Sequence, residues 1–167
     1  MANVNGLEIE RKFLIKYPDI KLLKAQRGCR IIEIEQSYLK DGGRARKICE
    51  EGKVSHIKTV KKHITDIKRQ EKEWEISKEE FAEALNNRAE GTQTIVKTRY
   101  AFPLDGFIFE VDIFPFWNDR AFLEVELERE DEAFPVPEFL EVIKEVTCDK
   151  RYTNSSLARK IIIEDII

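Results

Sequence analysis

Apolar and charged residues alternate with a period of two through most of this chain. Such alternation is typical of β-strands that have one buried and one polar face. Several of the breaks between these segments contain glycine, as in Asp41-Gly42-Gly43, which favours tight turns. The pattern predicts eight strands, over residues 7–15, 31–39, 44–49, 54–60, 69–76, 95–102, 107–114 and 122–128, and a short extended segment over 146–152.

Helix signals are fewer. Ser77 followed by Glu80 forms a capping box, which predicts a helix over residues 81–88. Three further helices are predicted, over residues 18–25, over residues 137–144, and near the C-terminus through residues 157–161. The first two begin at prolines, which suit the first helical turn, and Asn154 or Ser155 is the candidate cap of the last. We therefore expect an α+β fold, a single domain over residues 1–167, in which a mostly antiparallel sheet or barrel dominates.

Composition excludes several classes of function. Charged residues make up 37% of the chain but nearly balance, 29 Lys+Arg against 32 Asp+Glu, for a net charge of −3. A protein that binds nucleic acid through phosphate contacts is usually basic. No apolar run is long enough to span a bilayer, residues 1–10 lack a signal-peptide pattern, and three widely spaced cysteines match neither a disulfide framework nor a zinc site. We expect a cytoplasmic protein without nucleic-acid or membrane partners.

Charge on the predicted strands is sorted by sign. A sheet with one wet face explains alternation on any single strand, but like charges two residues apart share a face and repel each other. Acidic pairs occur at Glu8 and Glu10, Glu71 and Glu73, Glu110 and Asp112, and Glu124 and Glu126, and basic pairs at Arg44 and Arg46, and Lys97 and Arg99.

Sorted charge of this kind favours a ligand that carries both signs. Carboxylates that converge need a cation, and all-oxygen ligation suits Mg²⁺, Mn²⁺ or Ca²⁺. Arginines and lysines that converge need a polyanion. Both requirements together describe a metal-chelated phosphate chain. If the sheet closes into a barrel, these polar faces line its bore.

The segment Glu8-Ile9-Glu10-Arg11-Lys12 matches the ExExK signature of the CYTH superfamily, the triphosphate tunnel metalloenzymes. The chain resembles that family over most of its length, because further motifs follow in the expected order. They include Arg44-Ala45-Arg46, Lys97-Thr98-Arg99-Tyr100, Glu110-Val111-Asp112, Glu124-Val125-Glu126 and the segment from Val146 to Asn154. The resemblance implies an eight-stranded antiparallel β-barrel whose bore binds a triphosphate together with Mg²⁺ or Mn²⁺.

The resemblance also implies roles for individual residues. The metal-binding wall comprises Glu8, Glu10, Asp112, Glu124 and Glu126. The residues that bind the phosphates are Lys12, Arg44, Arg46, Lys58, Arg69, Lys97, Arg99 and Arg151, with Arg151 preferred over Lys150. The catalytic residues are Glu71, Glu73 and Lys12, and the two glutamates serve a second metal or orient the attacking water. The chain departs from the family pattern at two positions: Thr59 rather than glycine follows Lys58, and Lys72 replaces the common aromatic residue between Glu71 and Glu73.

The function that the resemblance implies is metal-dependent hydrolysis of a triphosphate, with inorganic tripolyphosphate as the small-molecule substrate and pyrophosphate and phosphate as products. The alternatives within the family are an adenylate cyclase and a nucleoside or thiamine triphosphatase. A polyphosphate-binding module without turnover and a sheet with a merely solvated charged face are the alternatives outside catalysis. The apolar residues within 161–167 are candidates for closing the bore or for a homodimer contact.

Overall fold

Nine strands and three α-helices are present in the residues that the computed structural model describes, 7–65 and 67–166. The strands are β1 (Leu7–Lys16), β2 (Arg30–Tyr38), β3 (Arg44–Glu50), β4 (Lys53–His63), β5 (Lys68–Ile76), β6 (Ile95–Leu104), β7 (Phe107–Ile113), β8 (Arg120–Glu126) and β9 (Val142–Glu145). The helices are α1 (Ile20–Lys24), α2 (Lys78–Leu85) and α3 (Asn154–Leu157), with a 3₁₀ turn over Lys150–Tyr152. Residues 1–6, on which the expectation of no signal peptide partly rests, and Ile167 of the C-terminal segment lie outside these ranges.

Eight of the strands close into an antiparallel barrel, as predicted. The sheet order is β5-β4-β3-β2-β6-β7-β8-β1-β9, and a further pairing joins β5 to β1. That closure is short, from the pair of Leu7 and Gln70 to the pair of Ile9 and Lys68. Beyond it, β9 takes over the same edge of β1 from residue 13 onward.

The apolar core lies mostly outside the bore. One cluster, which includes Ile9, Phe109 and Leu123, packs on the outer face of the strands around β1 and β8 against residues near α1 and the 134–140 loop. Each such buried side chain contributes about 1.5–3 kcal/mol. The barrel is therefore stabilised from its outer face, and its bore is free to carry charge.

A second apolar cluster fills one end of the barrel. Leu14, Ile95 and Phe122 continue the inner faces of their strands beyond the charged positions. Tyr152 and Leu157, which follow β9 in the chain, pack against them. Leu157 and Phe122 are completely buried. This cluster forms the floor of the bore.

The structure corrects three predictions in the C-terminal third. Residues 137–144 do not form a helix, because β9 pairs with the edge of β1 that β5 leaves exposed. The predicted extended segment over 146–152 is a turn followed by the 3₁₀ helix, in which the Asp149 side chain accepts a hydrogen bond from the Arg151 backbone N–H at 3.1 Å. The last helix covers Asn154–Leu157 with Thr153 as its cap, so neither Asn154 nor Ser155 is the cap and the helix does not run through 157–161.

The capping-box prediction for α2 is confirmed, since Ser77 Oγ accepts a hydrogen bond from the Glu80 backbone N–H at 3.0 Å. Within the described residues, none of the helices has the length and apolar character needed to cross a membrane.

Candidate active site

The bore contains a cavity of about 320 Å³ to which all eight barrel strands contribute side chains. Most of the lining is charged. The described cationic residues on its wall are Lys12, Arg44, Arg46, Lys61, Arg69, Lys97 and Arg99, and the acidic ones are Glu8, Glu10, Glu71, Glu110, Glu124 and Asp149. Thr147 and the segment over 152–155 cover the cavity near the floor. A cavity so rich in both signs is suited to a small, highly charged ligand rather than to an apolar one.

Ten of the predicted site residues line this cavity: Glu8, Glu10, Lys12, Arg44, Arg46, Arg69, Glu71, Lys97, Arg99 and Glu124. Five do not: Lys58, Glu73, Asp112, Glu126 and Arg151. The expectation that the charged strand faces converge on one bore therefore holds for most of the set but not for these five.

Arg44 and Arg46 reach β5 across the inner face of β4 and retain unused donors. Arg44 Nη2 lies 3.5 Å from Glu71 Oε1, and Arg46 Nη2 donates to Glu73 Oε2 at 3.1 Å. The Nε atoms of Arg44, Arg46 and Arg69 are buried without a hydrogen-bond partner. An unsatisfied buried donor costs about 1–3 kcal/mol. An anion in the cavity that accepts from these atoms would recover that free energy.

Lys12 is fixed where the charged wall meets the apolar floor. Its Nζ donates to the Tyr152 carbonyl oxygen at 2.8 Å, lies 3.6 Å from Glu124 Oε1 and sits 3.9 Å from the Phe122 ring centroid. Burial lowers the pKa of Lys12, and the nearby Glu124 carboxylate opposes that shift. The backbone carbonyl of Tyr152 thus holds one cation of the site in place.

Asp112 lies behind the cavity wall, bound to two cations. It is fully buried, and its carboxylate accepts from Lys97 Nζ at 2.7 Å, from Arg99 Nε at 2.8 Å and from Arg99 Nη2 at 3.0 Å. Burial alone would raise the pKa of Asp112, but Arg99 and Lys97 hold it well below its usual range. Burial also lowers the pKa of Lys97 to about 8. Both Asp112 oxygens are therefore occupied by protein donors rather than directed at the cavity.

Lys58 lies on the outer face of the barrel. Residues paired across two strands share a face, and Arg44 of the bore pairs with Thr59, so Lys58 must point outward. There its Nζ donates to Asp41 Oδ2 at 2.7 Å. Lys61, which has the parity of Thr59, lines the cavity instead, with its Nζ 3.7 Å from Glu71 Oε2. The alternation along β4 places Lys58 and Lys61 on opposite faces, but only the β3–β4 register shows which of the two faces the bore.

Arg151 is exposed and is not part of the cavity wall. Its guanidinium donates to Asp149 at 2.8 Å and lies 3.9 Å from Glu164. The prediction that it faces the bore assumed an extended backbone, and the observed 3₁₀ turn removes the strand alternation on which that assumption rested.

Glu73 and Glu126 are the remaining two predicted residues outside the cavity wall. Glu73 is about half exposed at the edge of the site, and Glu126 lies opposite Glu10 in the strand register but beyond the wall.

The acidic residues on β1 fit a divalent cation. Glu8 Oε2 is buried without a hydrogen-bond partner, whereas the neighbouring Glu10 accepts from Arg69. Among the described residues, no three His, Cys, Asp or Glu side chains come together in a way that would hold a metal by themselves. Mg²⁺ commonly binds through one or two carboxylates and completes its shell with water and substrate phosphates. Glu8 therefore supplies the type of ligand that such an ion needs.

Comparisons with known proteins agree with this geometry. Residues 6–157 match the CYTH domain family. Inorganic triphosphatases from Acetivibrio thermocellus and Nitrosomonas europaea are each 35% identical to the chain, over 159 and 160 residues, or 92% of this chain and 94% and 98% of those proteins. The crystal structure of the inorganic triphosphatase NE1496 is similar with a TM-score of 0.58 at 32% identity, covering 92% of this chain and 95% of that one. The chain belongs to the CYTH domain family.

Proposed function

We propose that this chain is a hydrolase that cleaves a phosphoanhydride bond of a triphosphate, with inorganic tripolyphosphate as its preferred substrate and pyrophosphate and phosphate as products. The observation that carries the proposal is a cavity with an apolar floor and cations on its walls, in which the Nε atoms of Arg44, Arg46 and Arg69 have no protein acceptor. Phosphate oxygens are the acceptors that such guanidinium groups bind best. The two relatives named inorganic triphosphatase support the same activity.

The chain's own residues account for binding and orientation of the substrate. Arg44, Arg46 and Lys61 hold phosphate oxygens on one wall, and Lys12 holds them at the floor. Glu71 lies 3.5 Å from Arg44 and 3.7 Å from Lys61, and in this position it can accept a hydrogen bond from the attacking water and orient it for in-line attack.

Family membership implies a divalent metal, and we propose Mg²⁺ or Mn²⁺ held by Glu8 and Glu10, with Glu124 and Glu126 nearby. When bound, such an ion neutralises charge on the phosphate oxygens that it contacts. Glu8, Glu10 and Glu124 are on the cavity wall, so the ion would share the bore with the substrate. Glu126 lies beyond that wall, opposite Glu10 in the strand register, and would approach the ion from the edge of the cavity.

Phosphate release from a substrate panel tests the proposed reaction. With Mg²⁺ or Mn²⁺, we expect tripolyphosphate to give orthophosphate and pyrophosphate, at a rate above those for ATP, thiamine triphosphate and pyrophosphate. The comparisons do not favour adenylate cyclisation, which would release pyrophosphate and cyclic AMP from ATP. Saturable binding of tripolyphosphate without any phosphate release would instead support a binding module.

The affinity for tripolyphosphate should fall as pH rises through about 8. Desolvation lowers the pKa of both Lys61 and Lys97 to about 8, so their positive charge is present below that pH and lost above it. We expect the Kd, measured without metal by titration calorimetry, to rise by up to about tenfold for each of the two lysines, or about 100-fold for both, from pH 7 to pH 9. Lys61→Arg, which keeps its charge over this range, should remove the part due to Lys61 and leave the part due to Lys97. An affinity that rises with pH would contradict the prediction.

We further propose a cytoplasmic location and no nucleic-acid or membrane partner. Cys29, Cys49 and Cys148 are free thiols, the form that a reducing compartment maintains. In the C-terminal segment, Ile162 is buried in the protein's own core, whereas Ile163 is 81% exposed. Among the described residues of that segment, Ile163 is therefore the one on which a homodimer contact would depend.

A further inference from the structure

Asp112 has the sequence context of a metal ligand but the surroundings of a structural counterion. It lies on β7 at the inner parity, two residues after Glu110, which reaches the cavity wall. Asp112 itself is 0% exposed and is not part of that wall. An ion in the cavity would have to displace Lys97 or Arg99 to reach its oxygens.

The two cations that Asp112 holds are both cavity residues. Lys97 is only 2% exposed, and Arg99 is anchored on its other side by Glu110, whose carboxylate lies 2.7 Å from Nη1. Without a carboxylate between them, the ammonium and the guanidinium would repel each other at close range in a poorly solvated site. Asp112 is thus a hydrogen-bond partner that both donors share.

We propose that Asp112 is a positioning residue that aligns Lys97 and Arg99 for the substrate phosphates and does not coordinate the metal. The inference rests on the proposed function for the identity of the anion. It predicts that the loss of Asp112 affects anion binding and leaves metal binding intact.

Asparagine is the sharpest probe, because it matches the shape of aspartate but has only one acceptor oxygen. Oδ2 accepts from both Lys97 Nζ and Arg99 Nη2, and Oδ1 accepts from Arg99 Nε. In either orientation of the amide, its NH₂ group faces at least one cationic donor. At least one of the two cations must therefore move.

The experiment compares Asp112→Asn with the unmodified protein in two titrations, tripolyphosphate without metal and Mn²⁺ without tripolyphosphate. We expect the Kd for tripolyphosphate to rise about tenfold or more, as for the loss of one charged hydrogen bond, and the Kd for Mn²⁺ to stay within about twofold. In turnover assays, KM should rise more than kcat falls. Glu8→Gln is the contrasting variant, with weakened Mn²⁺ binding.

Three results would overturn the proposal: a loss of Mn²⁺ affinity in Asp112→Asn like that in Glu8→Gln, unchanged affinity for tripolyphosphate, or tighter binding of it. If Asp112→Asn does not fold, Lys97→Met and Lys97→Met/Asp112→Asn give the same comparison, since the double variant removes one charge of each sign. Equal Mn²⁺ affinity in those two variants supports the proposal, and a loss on adding Asp112→Asn overturns it. If the unmodified protein releases no phosphate, the proposed hydrolysis is contradicted but the proposal for Asp112 is not. Neither titration requires turnover.

Discussion

Replacing Arg46 with glutamine should lower kcat/KM for tripolyphosphate by about 10²–10³-fold, the range found when one preorganised donor to a developing charge is removed. Arg46 is 9% exposed, and its Nε has no protein partner. Burial lowers the pKa of Arg46 to about 10, so the guanidinium still carries its charge at neutral pH. Glutamine keeps polarity and part of the volume but loses the charge and the planar set of donors. Steady-state phosphate release measures the effect.

Arg151→Gln is the matched control for this experiment. Arg151 belongs to a family-like motif as Arg46 does, but its side chain is exposed and is not part of the cavity wall, although its partner Asp149 is. Surface substitutions of this kind usually change free energies by no more than about 0.5 kcal/mol, so kcat/KM should stay within about twofold. Near-normal activity of Arg46→Gln, or an equally large loss in Arg151→Gln, would show that the cationic wall is placed wrongly.

The barrel and most of its bore were predictable from the sequence because strand alternation is a local signal. A residue such as Glu10 or Arg46 shares its face with the residues two positions away, whatever the rest of the chain does. Once several strands carry like charges on one parity, closure of the sheet brings those faces together. That alternation, together with the family resemblance, which implied the closed barrel and the site residues, led to the ten predicted residues that lie on the cavity wall.

The errors arose where the answer depends on a neighbouring element. Lys58 and Lys61 have opposite parities, and only the pairing of Arg44 with Thr59 decides which of them points inward, since a slip of one residue reverses every side chain. Residues 142–145 became a strand because the edge of β1 was open to pairing, which no local signal at Pro137 reveals.

Asp112 illustrates a further limit. Its parity was predicted correctly, but its role depends on its cross-strand partner, Arg99, and on Lys97, which together occupy both carboxylate oxygens. A list of acidic residues on inner faces cannot distinguish a carboxylate open to a metal from one enclosed by cations. Burial and hydrogen-bond partners make that distinction.

Lys61→Met should lower kcat/KM for tripolyphosphate by about 30- to 100-fold, the loss expected for one strong hydrogen bond to a charged group. Lys61 lines the cavity beside Glu71, and methionine preserves much of its length while removing the charge. The matched variant is Lys58→Met, on the same strand and with the same change in side chain. Lys58 bonds to Asp41 on the outer face, so its loss should change kcat/KM by no more than about twofold.

The two lysine variants test whether the family motif or the geometry of this barrel identifies the lysine that binds phosphate. The motif implies that Lys58 binds phosphate, whereas the strand register gives that position to Lys61. Thermal melting of both variants shows whether either loss reflects unfolding rather than a lost contact. A large loss in Lys58→Met with normal activity in Lys61→Met would mean that β4 is shifted by an odd number of residues in the active protein. Since that shift would also turn Thr59 outward, the same result would contradict the described β3–β4 pairing.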